Sequence, residues 1–408
     1  MLSLLTGNRH RTPIGLDIGD TAIRAVQLRR SGDRYTLAAA ARTDSAACGS
    51  PATGPSQISN PKSQISKGVQ AALRQASFAG RLVVTALNPP EVEFHALDLP
   101  AAALRAPERE ARQMVHWEIG RLTSESPDKV ETRHWHLPTA SGSAPNAIGV
   151  SAGREAVVHL VDACGAAGMV CSCVDTCATA LCRFGRLLRP WPEDVLWGVL
   201  DVGARQARLL LCFGESPVLI RNTGTGGREW TQRIAEALQL SVGAAEIQKR
   251  THGIAPTGRP FPSPGVHVPS PCVHAGRGDP PDPTLLKSQI SNLKSQRGAW
   301  GTADPVRNEV GSLLLGALRS DLNDLAAEVK RSYEYVLSCY PGRHAGDLVL
   351  VGGGAGLRNL PEYLAGALGI TVRRASSYLS ESDCRLSYGI DDRHPLETFA
   401  AAVGLAIN

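Results

Sequence analysis

Residues 14–28 read IGLDIGDTAIRAVQL and residues 198–211 read GVLDVGARQARLLL. Each stretch is an apolar strand that runs into Asp-x-Gly and then into a second apolar strand, and the repetition decides the fold. In the first copy, Ile14 to Ile18, Ala22 to Leu28 and Tyr35 to Ala41 alternate as strands, with Gly19-Asp20 and Ser31-Gly32-Asp33 as the turns. In the second, Val195 to Asp201, Ala207 to Phe213 and Pro217 to Arg221 repeat the plan. Strands joined by tight turns make an antiparallel meander, not a βαβ unit. Two meanders of one design imply an internal duplication and therefore two similar lobes.

The chain has 408 residues, of which 43% are hydrophobic, enough to bury more than one core. Between the meanders the pattern predicts strands over Arg81–Leu87 and Val92–Leu97. A helix over Pro107–Leu122 follows, with Pro107 in its first turn and Glu108 and Glu110 at its positive dipole end. A strand over Ala147–Ser151, a helix over Arg154–Ala167, a strand over Met169–Val174 and a helix over Thr176–Leu188 complete this region. The polar tract Ser45–Lys67 reads as a loop. The stretch Thr251–Arg307, dense in Pro and Gly, reads as a disordered linker. It contains SQISNLKSQ at 288–296, nearly the SQISNPKSQ of 56–64; a low-complexity insertion that entered twice and a repeated recognition peptide both account for the pair. Beyond it, Leu314, Leu318, Leu322, Leu325 and Val329 recur at helical spacing. The chain closes with a strand over Leu348–Val351, a glycine turn and a helix over Asn359–Leu368.

Charge excludes some functions. Lys and Arg number 43 against 38 Asp and Glu, a net +5 with no run of five like charges, so nucleic-acid binding is not indicated. Apolar runs stop well short of the roughly 18–20 residues of a membrane helix. The opening MLSLLTGNRHRTP lacks the long apolar core and small-residue cleavage site of a secretory signal, so a cytoplasmic location is expected. Of ten cysteines, Cys164, Cys171, Cys173, Cys177 and Cys182 cluster, but without the paired spacing of a zinc site; they read as small packing residues.

The Asp-x-Gly turns are the candidate chemistry. Asp17, followed by Gly19, Asp20 and Thr21, offers backbone N–H groups and a hydroxyl to a phosphate, while its carboxylate would hold a metal ion. Alone, such a turn is also an ordinary hairpin. Asp201 and Gly203 repeat it, and two facing turns would clamp the β- and γ-phosphates of ATP with Mg²⁺ between Asp17 and Asp201. A third element, VLVGGGAGLRNL at 349–360, is a strand entering a glycine turn before a helix, where Gly352, Gly353, Gly354 and Leu357 would line adenine or ribose. It does not follow the G-x-G-x-x-G spacing of a Rossmann phosphate loop.

Two Asp-x-Gly hairpins and a late glycine turn resemble the phosphate 1, phosphate 2 and adenosine motifs of the actin, heat-shock chaperone and sugar-kinase superfamily. Within it the chain most resembles the PilM family. GTGGREWTQRIAEALQLSVGAAEIQKR at 224–250 is similar to the PilM and FtsA pattern, and by that resemblance Gly226, Gly227, Glu246 and Lys249 reach the nucleotide. Leu99-Pro100, Trp117-Glu118, the GVSAGREAVVHLVDACGAAGM segment, VDTCATAL and the closing FAAAVGLAI are also similar to PilM. The resemblance covers most of 13–250 and 309–407 and implies an α/β, actin-like (ribonuclease H-like), two-lobed fold with duplicated βββαβα cores and a small inserted subdomain. The first lobe is expected at 13–190 with the insertion at about 90–155, the second at 191–407, and a disordered 251–308 within it. In the superfamily an acidic residue before phosphate 2 orients the attacking water; Asp175 stands there, and equally reads as a helix N-cap. Ala204, Arg205, Gln206 and Ala207 replace the hydroxyl residue of many relatives, which weakens the phosphate grip and bears on turnover more than on binding. The family implies capture of the cytoplasmic N-terminal tail of a PilN-like inner-membrane protein, with hydrolysis slow or dispensable. The alternatives are an FtsA-like division protein, for which the C-terminus lacks a basic amphipathic face, and a small-molecule kinase, for which no acceptor pocket is visible.

Overall fold

The apolar alternation around Asp17 folds as three antiparallel strands, β1 (Ile14–Ile18), β2 (Ala22–Ser31) and β3 (Arg34–Asp44). Ile14, Leu16, Ile23, Ala25, Val26 and Leu28 are all buried, because helices cover both faces of the sheet. The structure, a computed structural model, describes residues 11–44, 61–123, 126–140, 144–256, 305–389 and 394–408. Helix α1 (Pro61–Leu73) corrects the expected loop: from Pro61 onward the polar tract is helical. Ile65, Val69 and Ala72 pack on the first sheet at helical spacing, and that period outweighs the polar composition. Residues 45–60 and the second copy of the repeat lie outside the described residues.

The chain continues through β4 (Leu82–Leu87), β5 (Val92–Leu97), α2 (Ala101–Arg105), α3 (Glu108–Leu122), β6 (Val130–His136), β7 (Ala147–Gly153) and α4 (Arg154–Ala166). Then come β8 (Val170–Thr176), α5 (Cys177–Leu188), β9 (Val195–Val202), β10 (Ala207–Phe213), β11 (Ser216–Thr223), α6 (Gly227–Leu238) and α7 (Val242–His252). Past the undescribed 257–304 follow α8 (Pro305–Cys339), β12 (His344–Val351), α9 (Leu360–Leu368), β13 (Val372–Arg374), β14 (Leu386–Ser387) and α10 (Leu396–Ala406). The insertion forms its own antiparallel sheet, β5-β7-β6.

The two large sheets share one design. Strand order is β3-β2-β1-β4-β8 in the first and β11-β10-β9-β12-β13 in the second. In both, a meander supplies the antiparallel half, and two further strands run parallel to its first strand. Asp17 and Asp201 therefore occupy equivalent places, toward the C-terminal ends of β1 and β9, where open parallel sheets leave crevices for ligands. One departure concerns the chain end, expected wholly in the second lobe. β14 pairs with β3, and α10 packs on β1 and β2, so the chain returns to the first lobe.

Helices α5 and α10 lie between the two large sheets and carry a common core. Phe184 and Leu188 from α5, and Phe399 and Val403 from α10, meet Val26 and Leu28 on one side and Trp197, Val199 and Leu210 on the other. Trp191 stacks on Trp197 at 5.0 Å between ring centroids. α10 is held at backbone distance on both flanks. A Cβ at Gly404 would lie 1.9 Å from the Ala180 carbonyl oxygen, and one at Gly15 would lie 1.9 Å from that of Ala402. In the second lobe, Leu314, Leu318, Leu322, Leu325 and Val329 of α8 are buried with Trp230 and Ile234 of α6, as the spacing predicts.

Two helical glycines give a test of opposite sign. Gly404→Ala should destabilise by about 2 kcal/mol or more, because neither backbone can yield to the added methyl. Gly316→Ala, in an exposed turn of α8 with nothing near its would-be Cβ, should stabilise by about 0.5–1 kcal/mol. Urea unfolding of both variants measures the contrast.

Candidate functional site

The strand register that forms each meander also fixes what faces its aspartate. Arg24 lies directly across from Asp17 on β2, and Arg208 directly across from Asp201 on β10. Arg24 Nη1 is 3.1 Å from Asp17 Oδ2, and Arg208 Nη1 is 4.0 Å from Asp201 Oδ2. Arg208 also reaches out of its lobe to donate to Asn88 Oδ1, 3.3 Å away in the loop after β4. Burial raises the Asp201 carboxyl and the nearby Asp17 charge adds to the rise, against the pull of Arg208. Cys177, opening α5, sits in the same field and its buried thiol is pushed up to about 12. The two Asp turns thus converge between the lobes. Asp20 closes the rim with an exposed ion pair to Arg205 Nε at 3.1 Å. Gly19 and Thr21 lie in the first turn, which Gly19 N–H closes by donating to the Ala22 carbonyl at 3.1 Å.

The glycine turn after β12 comes to the same place. Gly352 has φ of +83°, open to glycine, and a Cβ there would lie 2.4 Å from Asp201 Oδ1. Gly353 is free of close neighbours, whereas Gly354 is pressed on Val202. Leu357 is a correction: its side chain is 4% exposed and packs in the second-lobe core, so it does not line the site.

Gly226 and Gly227 are at the start of α6, but their N–H groups are already used. Gly226 donates to the Arg205 carbonyl, Gly227 to Gly203 and Arg228 to Ala204, at 2.8–3.0 Å, which docks α6 on the Asp201 turn. Behind them a compact polar network joins α6 to α7. Lys249 Nζ donates to the Gly227 carbonyl at 2.7 Å, to Thr231 Oγ1 at 2.6 Å and to Glu246 Oε2 at 2.7 Å. Thr231 Oγ1 also bonds Glu246 Oε2 at 2.5 Å. Burial alone would raise Glu246, but hydrogen bonds from Lys249, Thr231 and Arg250 together draw it down to about 2. For Lys249, burial prevails over its carboxylate partner and lowers the ammonium.

Asp175 is neither the N-cap nor a free base. Thr176 caps α5, with Oγ1 accepting from Thr179 N at 3.1 Å. Asp175 Oδ1 accepts from Thr176 N at 2.7 Å and from Thr179 Oγ1 at 2.5 Å, and Oδ2 pairs with Arg183. Both oxygens are engaged.

Arg24, Arg208 and Asn88 escaped the sequence reading, although an arginine seven residues after each aspartate stands in both quoted stretches. Two carboxylates match Mg²⁺ by number. They match it poorly by charge, since each already has a guanidinium fixed opposite. Among the described residues, no three or more His, Cys, Asp or Glu side chains converge as a metal-holding group.

With this geometry in hand, comparison with known proteins is direct. A sequence model of the family described as type IV pilus assembly protein PilM matches residues 15–258. The chain belongs to the PilM family. No curated protein matches it in sequence. Among solved structures, a PilM-PilN type IV pilus biogenesis complex is 22% identical, with a TM-score of 0.65, covering 97% of this chain and 98% of that one. The ethanolamine utilization protein EutJ of Carboxydothermus hydrogenoformans is 13% identical over 97% and 89% of the two chains, at a TM-score of 0.48. MreB 5 of Spiroplasma citri bound to AMPPNP is 13% identical over 98% and 96%, at 0.45. This PilM-family chain has the actin-like fold and is an actin-like component of type IV pilus assembly.

The acid limb of stability tests the α6–α7 network. Glu246 ionises near 2 in the fold and near 4.5 when unfolded, so it adds stability above pH 4.5 that drains away as pH falls toward 2. After discounting for its partial exposure, Glu246→Gln should remove about 1–2 kcal/mol of the loss between pH 5 and pH 2, read by urea unfolding across that range.

Proposed function

We propose that this PilM-family protein binds ATP between its lobes and holds the cytoplasmic N-terminal tail of a PilN-like membrane protein, as part of the inner-membrane platform that assembles type IV pili. The observation that carries the nucleotide part is the meeting of three turns, after β1, β9 and β12, in one crevice, with Gly352 against Asp201 and Arg205 reaching Asp20. Asp17, Gly19, Asp20, Thr21, Asp201 and Gly203 would face the phosphates. Gly352, Gly353 and Gly354 would face the nucleoside, and the Glu246–Lys249 network would brace its far side. Asp175 with both oxygens engaged favours slow or dispensable hydrolysis. Nucleotide then acts by its different affinity for two lobe arrangements rather than by turnover.

The tail has a fitting place. A groove of about 660 Å³ lies between Trp135 of the inserted sheet, Thr179, Arg183 and Arg186 of α5, and the β10–β11 turn. Trp135 Nε1 donates to the Pro217 carbonyl at 2.8 Å, so the inserted sheet and the second lobe close the groove together. None of the helices in the described residues is long and apolar enough to cross a membrane, and the proposed location is cytoplasmic, held at the inner membrane through the partner.

Calorimetric titration tests both parts. ATP should bind with a Kd in the micromolar range, about −8 kcal/mol, and Asp17→Ala should weaken it about tenfold or more. A synthetic peptide of the partner's N-terminal tail should bind the parent protein and lose about tenfold or more with Arg186→Glu, while ATP binding stays. Failure of both ligands to bind would overturn the reading.

A further inference from the structure

Both lobes carry Asp-x-Gly followed by an arginine seven residues after the aspartate: Asp17 with Arg24, Asp201 with Arg208. Strand register, not chance rotamers, brings each pair together. All four side chains are largely buried in the inter-lobe crevice, Arg208 at 9% exposure and Arg24 at 12%. The Nε of each arginine is buried without a hydrogen-bond partner. Buried donors left unmatched are costly, and these two belong to groups with five N–H donors apiece. With that many N–H donors, each guanidinium can keep its aspartate and still offer another N–H to an oxygen of an incoming anion.

The charge balance of the crevice is met without an ion. Two carboxylates bridged by a divalent ion sum to zero. Asp17, Asp201, Arg24 and Arg208 also sum to zero, with no ion added. A Mg²⁺ at Asp17 and Asp201 would sit against two guanidiniums that have no freedom to leave the sheets, in a crevice where burial strengthens the repulsion. Phosphate oxygens would instead meet planar, permanently charged donors suited to them.

Resting on the nucleotide reading above, we propose that Arg24 and Arg208 replace the divalent cation here, so that the phosphates of ATP bind directly on two guanidiniums and binding does not depend on Mg²⁺. Asp17 and Asp201 then serve to position the arginines rather than to ligate a metal.

The test is titration of the full chain with ATP in EDTA and, separately, in millimolar Mg²⁺. The expected result is binding in both, with affinities within about threefold. Binding in Mg²⁺ that weakens about tenfold or more in EDTA would overturn this inference and leave the nucleotide reading standing. Absence of binding in both would overturn the nucleotide reading, and this inference with it. Arg208→Gln, checked for folding by its thermal melt, should weaken binding in EDTA about tenfold, the size of one charge-assisted hydrogen bond. Mg²⁺ should partly restore it, because Asp201 is freed. Binding by that variant equal to the parent's in EDTA would also overturn the proposal, and Arg24→Gln repeats the measurement should Arg208→Gln not fold.

Discussion

Backbone-to-backbone contact of α10 with α5 on one flank and β1 on the other is the constraint on which the rest depends. Gly404 and Gly15 leave no room for even one methyl. Every larger contact between the lobes is built around that distance: Phe399 and Val403 reach both sheets only because α10 lies so deep. Since Asp17 lies near the end of β1 and α5 begins beside Arg208, the same packing fixes the crevice. Two glycines thus set the geometry of the charged site, by close packing alone.

The crevice illustrates how sheet geometry does electrostatic work. In an antiparallel pair, opposed residues on one face are near neighbours, so an aspartate and an arginine placed in register need no further device to meet. The duplication applies this twice. Burial then makes the arrangement consequential, because a charge in such a place must be matched. Arg208 does more than match Asp201, since through Asn88 it also fastens the second lobe to the first.

Much of this was legible in the sequence. The meanders, their duplication and the long α8 follow from period-2 and period-3.6 patterns that burial leaves on a chain. What was not legible depended on register or depth. Arg24 and Arg208 stand in plain view, but which residue an arginine opposes is settled by strand pairing, not by spacing read along one strand. α1 hid because Ser, Lys and Gln dominate its composition while Val69 and Ala72 do the packing. Leu357 follows a glycine turn, and only depth distinguishes a core leucine from one lining a ligand. The cap of α5 shifted by one residue, from Asp175 to Thr176, because Thr176 has the extended backbone and the oxygen within reach of Thr179 N. The return of β14 and α10 to the first lobe is a matter of topology and leaves no local mark.

Helix α5 has two audiences. Its first residue, Cys177, stands beside Arg208 in the crevice, while Thr179, Arg183 and Arg186 line the groove under Trp135. Arg183 ties the two by holding Asp175 at one end and the Gly404 carbonyl at the other. An element that borders two sites and takes part in two lobe arrangements makes them parties to one equilibrium, and linkage is reciprocal. By whatever factor an occupant of the crevice alters affinity in the groove, an occupant of the groove alters affinity in the crevice by the same factor.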